Sequence, residues 1–349
     1  MAARPWAYFD GLLATDLVDS VDLQKNPQAL ERGGWWAVAA TFEGELRAYR
    51  FARVAPGPLP AASGTWSGIP SASWRSSLDR TAYLAGVRAI RENIRSGDVY
   101  QVNLCRVLSA ELPPADHADP AALAAILADG NPAPYQGTIF NGAEWVVTAS
   151  PELYLSRNGD AITSAPIKGT APTPDTFAYK DIAENIMITD LVRNDLNRIC
   201  TPTSVRVQTL LETQSHPGLA HLVSTVAGTL RGGVGWADIF TATFPPGSVT
   251  GAPKIRALQV ISDLEPVPRG PYCGAVGYVD ADNHTAELAV GIRSFFSTTD
   301  DAGRRRINFG TGAGITFPSD PLAEWEETEL KAARLMALVQ PPQEPRSSG

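Results

Sequence analysis

The stretch APIKGTAPTPDTFAYKDIAENIMITDLVRNDLNR, Ala165 to Arg198, decides how the rest of the chain is read. Its first part sets a lone lysine, Lys168, in a turn bounded by glycine and proline. Its second part is predicted to be a helix from about Tyr179 to Leu196 that opens on acidic residues. Asp181 and Glu184 stand three apart, so both carboxylates fall on one face. A lysine between isoleucine and glycine is ordinarily a surface residue. Acidic residues in a first helical turn are favoured by the helix dipole in any case. What lies on either side decides whether the stretch carries chemistry.

Towards the N-terminus, strands are expected at Tyr135–Phe140, Trp145–Thr148 and Leu153–Ser156. Glu152, after Ser150-Pro151, adjoins the last of them and is placed to act as a general acid. Earlier still, Leu84, Val87, Ile90 and Ile94 recur at helical spacing between Leu78 and Ser96, with Gly97 at the C-cap. The run from Asp98 to Leu108 is β-rich and puts Gln101 and Asn103 on one face. Trp35–Phe42 and Leu46–Val54 read as paired strands around a Glu43–Gly44 turn. The proline-rich segment Pro56–Gly64 separates a small N-terminal lobe, 1–64, from a main body, 65–340. Towards the C-terminus, a strand at Val205–Leu211 leads to a polar helix-and-turn region around His216–Val226. A glycine-containing loop, FPPGSVTGAPK (244–254), then feeds a helix with Pro253 near its first turn. Strand-like segments follow at Gly274–Asp280, Ala286–Phe296 and Arg306–Gly310. A last helix, Leu322–Leu338, repeats the acidic spacing with Glu324 and Glu327, and a tail at 341–349 is expected to be disordered. Many strands with helices between them argue for α+β and against a doubly wound sheet.

Composition narrows the function. A net charge of −8 opposes a broad phosphate-binding surface, so neither nucleic acid nor an anionic membrane is an expected partner. Three scattered cysteines read as reduced thiols, and no apolar run reaches membrane-span length, so a cytoplasmic location is expected. The four carboxylates, without clustered histidine or cysteine, suit a hard cation such as Mg²⁺. GSVTGAPK (Gly247–Lys254) lacks the Walker A spacing, and GTGAGI (Gly310–Ile315) fails the GxGxxG count at Ile315. Both can still offer backbone N–H groups to a carboxylate. No Gly-x-Ser-x-Gly elbow is present. An unperturbed lysine is neutral only about 0.04% of the time at pH 7, so a nucleophilic Lys168 requires desolvation or a neighbouring cation.

Taken together and in order, GDVYQVNL (97–104), SPELYL (150–155), PIKGT (166–170), DIAENIMITDLVRNDL (181–196), FPPGSVTGAPK (244–254), RGPYCGAVGY (269–278), GIR (291–293), GTGAGIT (310–316) and EWEET (324–328) resemble the chorismate-utilising enzymes, and among them the aminodeoxychorismate synthase branch. The resemblance runs from about Leu78 to Met336. It implies an α+β body of two layered antiparallel sheets with helices outside and the site between them. It implies that Glu184 and Glu327 hold Mg²⁺ against the ring carboxylate of chorismate, with Asp181 and Glu324 supporting. Tyr272, Arg293 and the backbone of Gly312, Ala313 and Gly314 would bind carboxylates; Thr250, His221, Gln101, Gly169 and Thr170 would line the pocket.

Two positions set the branch. Gln101 stands where water-adding members, which make isochorismate or salicylate, carry a lysine base. Lys168 stands where anthranilate synthases carry a small or apolar residue. The implied reaction is amination to 4-amino-4-deoxychorismate, with Lys168 as nucleophile and Glu152 as general acid; anthranilate formation is the first alternative, and isochorismate or salicylate formation the second. Ammonia is expected from a separate glutaminase subunit, since none is fused here, and 4-aminobenzoate, a folate precursor, would need a separate lyase. Three departures from the family pattern are the neutral Ala171-Pro172-Thr173 after PIKGT, a short N-terminal lobe, and the lack of a Leu-Leu-Glu-Ser element. Tryptophan inhibition is therefore not expected.

Overall fold

A computed structural model describes residues 4–171, 177, 179–216 and 219–341. The Pro172 and Thr173 departure and nearly all of the C-terminal tail lie outside them. In chain order the strands are β1 (Trp6–Phe9), β2 (Leu12–Asp22), β3 (Trp35–Ala40), β4 (Leu46–Pro56), β5 (Arg75–Ser76), β6 (Gln101–Glu111), β7 (Tyr135–Phe140), β8 (Trp145–Ser150), β9 (Leu153–Asn158), β10 (Ala161–Ala165), β11 (Ile167–Ala171), β12 (Arg206–His216), β13 (Leu219–Thr229), β14 (Gly251–Ala252), β15 (Ala275–Asp280), β16 (Thr285–Val290), β17 (Ser294–Thr299) and β18 (Arg305–Ile315). The helices are α1 (Arg80–Arg95), α2 (Pro120–Gly130), α3 (Tyr179–Asn197), α4 (Trp236–Thr243), α5 (Lys254–Leu264) and α6 (Pro321–Leu338).

Every ladder is antiparallel, and the fold is α+β as expected. Followed partner by partner, β11 and β12 flank β13, which leads through β10, β9, β16, β15, β3 and β4. From β4 the network turns through β2 and β1 into β7, β8, β17, β18 and β6. The two halves are thus one hydrogen-bonded network joined at β1, β2 and β4. Its far ends come together, because Lys168 on β11 reaches Asn103 on β6. The strands of the first 56 residues belong to this network, β3 beside β15 and β1 beside β7.

The helices face the sheet with a stripe that changes character along its length. In α3 the buried positions are Glu184, Asn185, Ile188, Thr189, Val192 and Leu196, polar at the start and apolar at the end. In α6 they are Glu324, Thr328, Ala332 and Leu335, graded in the same sense. The apolar ends join the core, so the same packing that buries Leu196 and Leu335 presses Glu184 and Glu324 inward. In α1, Asp79 caps the first turn by accepting from the Ala82 amide at 2.8 Å, and Gly97 takes φ +85 at the other end.

Three expectations are corrected. The segment expected as helix and turn, His216–Val226, lies mainly in β13, whose alternation of Leu222, Ser224 and Val226 with Val223, Thr225 and Ala227 suits a strand buried on both faces. The expected strand Ala286–Phe296 is two strands, because Arg293 adopts φ +52 and breaks the ladder. Lys168, expected in a turn, lies on strand β11, and helix α4 and strands β1 and β2 stand where short apolar runs carry little periodicity.

Candidate active site

Five elements deliver the site: β6, β11, the starts of α3 and α6, and the glycine strand β18. Gly314 pairs with Asn103 across β18 and β6. A side chain at Gly314 would collide with the Gln101 amide; its Cβ would stand 3.1 Å from Lys168 Nζ and 3.2 Å from Glu184 Oε2. The missing side chain is therefore what lets an amine, an amide and a carboxylate converge on one point. Gln101 Nε2 donates to Glu184 Oε2 at 2.9 Å, and Lys168 Nζ donates to Asn103 Oδ1 at 3.4 Å.

The carboxylates expected to hold Mg²⁺ divide into two kinds. Glu184 and Glu324 are buried, 9% and 3% exposed. They share Lys180, whose Nζ lies 2.6 Å from Glu324 Oε1 and 3.7 Å from Glu184 Oε1. Glu327 is more open and pairs with Lys331 at 2.6 Å. Burial, then the charges of Glu324 and Glu327, push the Glu184 carboxyl up despite Lys168 and Lys180. For Glu327 burial is the largest influence and works upward, but Lys331, Lys180 and Lys168 together outweigh it and the carboxyl is held down. Asp181 packs against Gly169, which takes φ +86 and would put a Cβ 2.8 Å from the Asp181 Cβ. Among the described residues no group of three or more acidic, histidine or cysteine side chains is arranged as a metal site. Even so, Glu184 Oε1, Glu324 Oε2 and Gln101 Oε1 are buried with no hydrogen-bond partner among the described residues. Orphaned oxygens on hard ligands fit the chemistry of a cation such as Mg²⁺.

Glu152 is 3% exposed. Burial raises its carboxyl to about 7, against hydrogen bonds from Ser248 and the Ile167 amide and the charges of Lys168 and Lys331. The glycine loop before α5 supplies that serine, so FPPGSVTGAPK contributes a second side chain beside the expected Thr250. Thr250 is fully buried, its hydroxyl donating to the Pro246 carbonyl at 2.7 Å and its own carbonyl accepting from the Asn103 amide at 2.9 Å. It shapes the loop.

The expected carboxylate binders are more scattered. Arg293 is half-buried, and its guanidinium donates to His221 Nε2 at 3.1 Å. Burial, with Arg334 nearby, weakens its hold on its proton. A non-glycine residue at φ +52 is uncommon, and backbone strain of this kind gathers at functional positions. Tyr272 is 4% exposed, its ring lies over Gly310, and its side chain is hydrogen-bonded to that of Cys105. The Gly312 carbonyl accepts from Lys331 Nζ at 3.1 Å. Thr170 pairs with His221 through the backbone, and its side chain lies outside the described residues. Ala313 is fully buried between them.

Sequence reasoning missed Lys180, Lys331, Ser248 and Asn185. Asn185 Nδ2 donates to the Leu222 carbonyl at 2.8 Å and reaches the Lys168 carbonyl at 3.5 Å. Its place beside Glu184 on the inner stripe of α3 is the signal that could have found it.

An antiparallel α+β scaffold that gathers three lysines, buried carboxylates and a proton-holding glutamate around a bare glycine strand defines a class of small-molecule enzyme site. The chain belongs to the chorismate binding enzyme family, whose pattern it matches over residues 48–337. It is 40% identical over 275 residues to anthranilate synthase component 1 of Haloferax volcanii, covering 74% of this chain and 51% of that one. It is 36% identical over 279 residues to aminodeoxychorismate synthase component 1 of Klebsiella aerogenes, covering 76% and 59%. The chain thus spans about half to three fifths of these relatives. Its fold matches the crystal structure of anthranilate synthase component I from Streptococcus pneumoniae with a TM-score of 0.76 at 23% identity, over 96% of this chain and 90% of that one.

Proposed function

We propose that the protein aminates chorismate to 4-amino-4-deoxychorismate, using ammonia released by a separate glutaminase subunit. The observation that carries this reading is the approach of Lys168 Nζ to Gly314, facing the carboxylates, with the proton-holding Glu152 nearby. In this reading the neutral Lys168 amine bonds to C2 of chorismate while Glu152 gives its proton to the departing 4-hydroxyl, which leaves as water. Ammonia then bonds to C4 and the lysine is expelled. Covalent catalysis splits one difficult displacement into two easier ones. A carboxyl that keeps its proton to about 7 suits the acid role near neutral pH. Glu184 and Glu327, supported by Asp181 and Glu324, would hold Mg²⁺, which when bound neutralises the substrate carboxylate. Arg293 would bind a second carboxylate. Among the described residues no helix is long and apolar enough to cross a membrane, in keeping with a cytoplasmic enzyme feeding 4-aminobenzoate formation.

A second reading, anthranilate synthase component I, is favoured by the name of the Haloferax relative. Chorismate, Mg²⁺ and ammonium salt separate the two. Amination at C4 gives a product that becomes 4-aminobenzoate only when a lyase is added; fluorescent anthranilate appearing without one sinks the first reading. Lys168→Ala is expected to lower amination at least a hundredfold, within the ordinary scale for a lost nucleophile, while chorismate still binds. An unchanged rate rules out the covalent route.

A further inference from the structure

The amine of Lys168 is held by Asn103, a residue outside the expected site. Asn103 is buried on β6, 8% exposed. Its backbone is fixed on both sides. The amide donates to the Thr250 carbonyl at 2.9 Å, and the carbonyl accepts from Arg269 at 2.9 Å. Arg269 is itself 1% exposed and doubly bonded to Glu265, so it cannot move without breaking a buried ion pair. The side chain has one remaining freedom, the direction of its amide. Nδ2 donates to Cys105 Sγ at 3.7 Å, which leaves Oδ1 aimed at Lys168 Nζ. The reverse orientation would set NH₂ against the amine, donor to donor.

We propose that Asn103 is the positioning residue that holds the Lys168 amine towards the substrate, and that it does so as a neutral acceptor. The proposal rests on the reading of Lys168 as nucleophile. A carboxylate in the same place would form a charge-assisted bond and hold the amine as ammonium, which cannot attack. An amide accepts a hydrogen bond from either protonation state and leaves a lone pair for the reaction. The groups facing the amine fit this division of labour. Gln101 engages Glu184, Lys180 engages Glu324 and Glu184, and Lys331 engages Glu327; the charges of Glu184, Glu152 and Glu327 reach Lys168 as well, and the asparagine oxygen sets the direction of its amine.

Two variants test this in the full chain. Asn103→Asp keeps the shape and adds a charge; Asn103→Ala removes the acceptor. Each is assayed for kcat and KM with ammonium salt, and Lys168 is separately labelled with acetic anhydride and quantified by peptide mass. Asn103→Asp is expected to slow Lys168 labelling at pH 8 by roughly tenfold, the change that one pH unit of protonation brings. Its kcat should fall with the labelling rate. Asn103→Ala is expected to lower kcat by about tenfold to a hundredfold, the scale of a misplaced reacting group. Its KM for chorismate should change less than twofold, and its labelling should not slow. Labelling and kcat within twofold of the parent in Asn103→Asp overturn the proposal even if Asn103→Ala fails to fold. Labelling needs no turnover, so slowed labelling alongside a fully active Lys168→Ala would leave the asparagine's hold on the lysine intact and remove the nucleophile instead.

Discussion

Two charge clusters lie on opposite sides of Asn103, and they are built to opposite plans. Towards the core, Arg269 and Glu265 form a closed pair. The guanidinium donates at 2.7 and 2.6 Å to the two Glu265 oxygens and at 2.9 Å to the Val249 and Asn103 carbonyls, and it stacks 4.1 Å over Phe42. Glu265 also accepts from the Cys105 amide at 2.8 Å. Towards the pocket, Glu184 Oε1, Glu324 Oε2 and Gln101 Oε1 lack hydrogen-bond partners among the described residues. Burial is similar in both places, so burial does not separate them. Satisfaction does. A cluster whose valences are filled from within the chain fixes backbone, whereas one with unfilled valences keeps them for something that arrives. The closed cluster holds the carbonyls of Asn103 and Val249, and so carries the strand and loop from which the open one is hung.

The largest expected effect falls on the closed side. Arg269→Met strands a buried Glu265 and should cost about 3–5 kcal/mol, measured by urea unfolding with an unchanged m-value. A loss below about 1 kcal/mol would mean that the pair is not a structural anchor, and the contrast between the clusters would collapse.

The next effect has the opposite sign. The folded-state carboxyl of Glu152 sits at about 7, above its ordinary 4.5, so between these values the folded state holds the proton that the unfolded state has lost. Stability from this group is therefore full below about 4.5, falls as pH rises, and is lowest above about 7. Glu152→Gln removes the penalty. It should be more stable than the parent at pH 8 by up to about 3 kcal/mol, and by nothing at pH 4. It should also be inactive in amination. A variant destabilised at pH 8 would mean that Glu152 belongs with the closed cluster. The same titration predicts that the parent loses the acid form of Glu152 as pH rises through about 7, so the proposed amination, measured at constant ammonia, should stop rising with pH there.

How much of this was legible in the sequence follows the same division. The ends of α3 and α6, with their paired acids, could be read because helical spacing fixes which side chains share a face. Lys168, Glu152 and the glycine strand could be named because their segments resemble a known family in order. What could not be read depends on contact between distant parts of the chain. Lys180 belongs with Glu324, 144 residues on, and Arg269 with the Asn103 carbonyl, 166 residues back. Neither separation has a period. The misreading of His216–Val226 has a local cause: two histidines and a glycine signal a turn, while the residues after them form a doubly buried strand. The break at Arg293 was hidden because arginine gives no warning of a left-handed backbone.

The smallest effect compares two glycines on one strand, one against the backbone of β6 and one against the side-chain ends of the site. At Gly312 an added Cβ would stand 2.6 Å from both Cys105 Sγ and the Leu104 carbonyl, and 3.0 Å from the Cys105 Cα. Backbone cannot give way cheaply, so Gly312→Ala should cost about 1–3 kcal/mol of stability. At Gly314 every near atom belongs to the end of a flexible side chain: the Gln101 amide, the Lys168 amine and the Glu184 carboxylate. Those ends can swing into the open pocket. Gly314→Ala should therefore cost less than Gly312→Ala, about 1 kcal/mol for the Gln101–Glu184 hydrogen bond it loosens, while it crowds the amine. Thermal unfolding and amination measured on both variants give the comparison. If the two lose stability equally, the pocket side is packed as tightly as the core side, and the orphaned oxygens there are not held open for a ligand. If only Gly314→Ala loses activity while losing less stability than Gly312→Ala, the division between a closed anchor and an open site extends to neighbouring residues of a single strand.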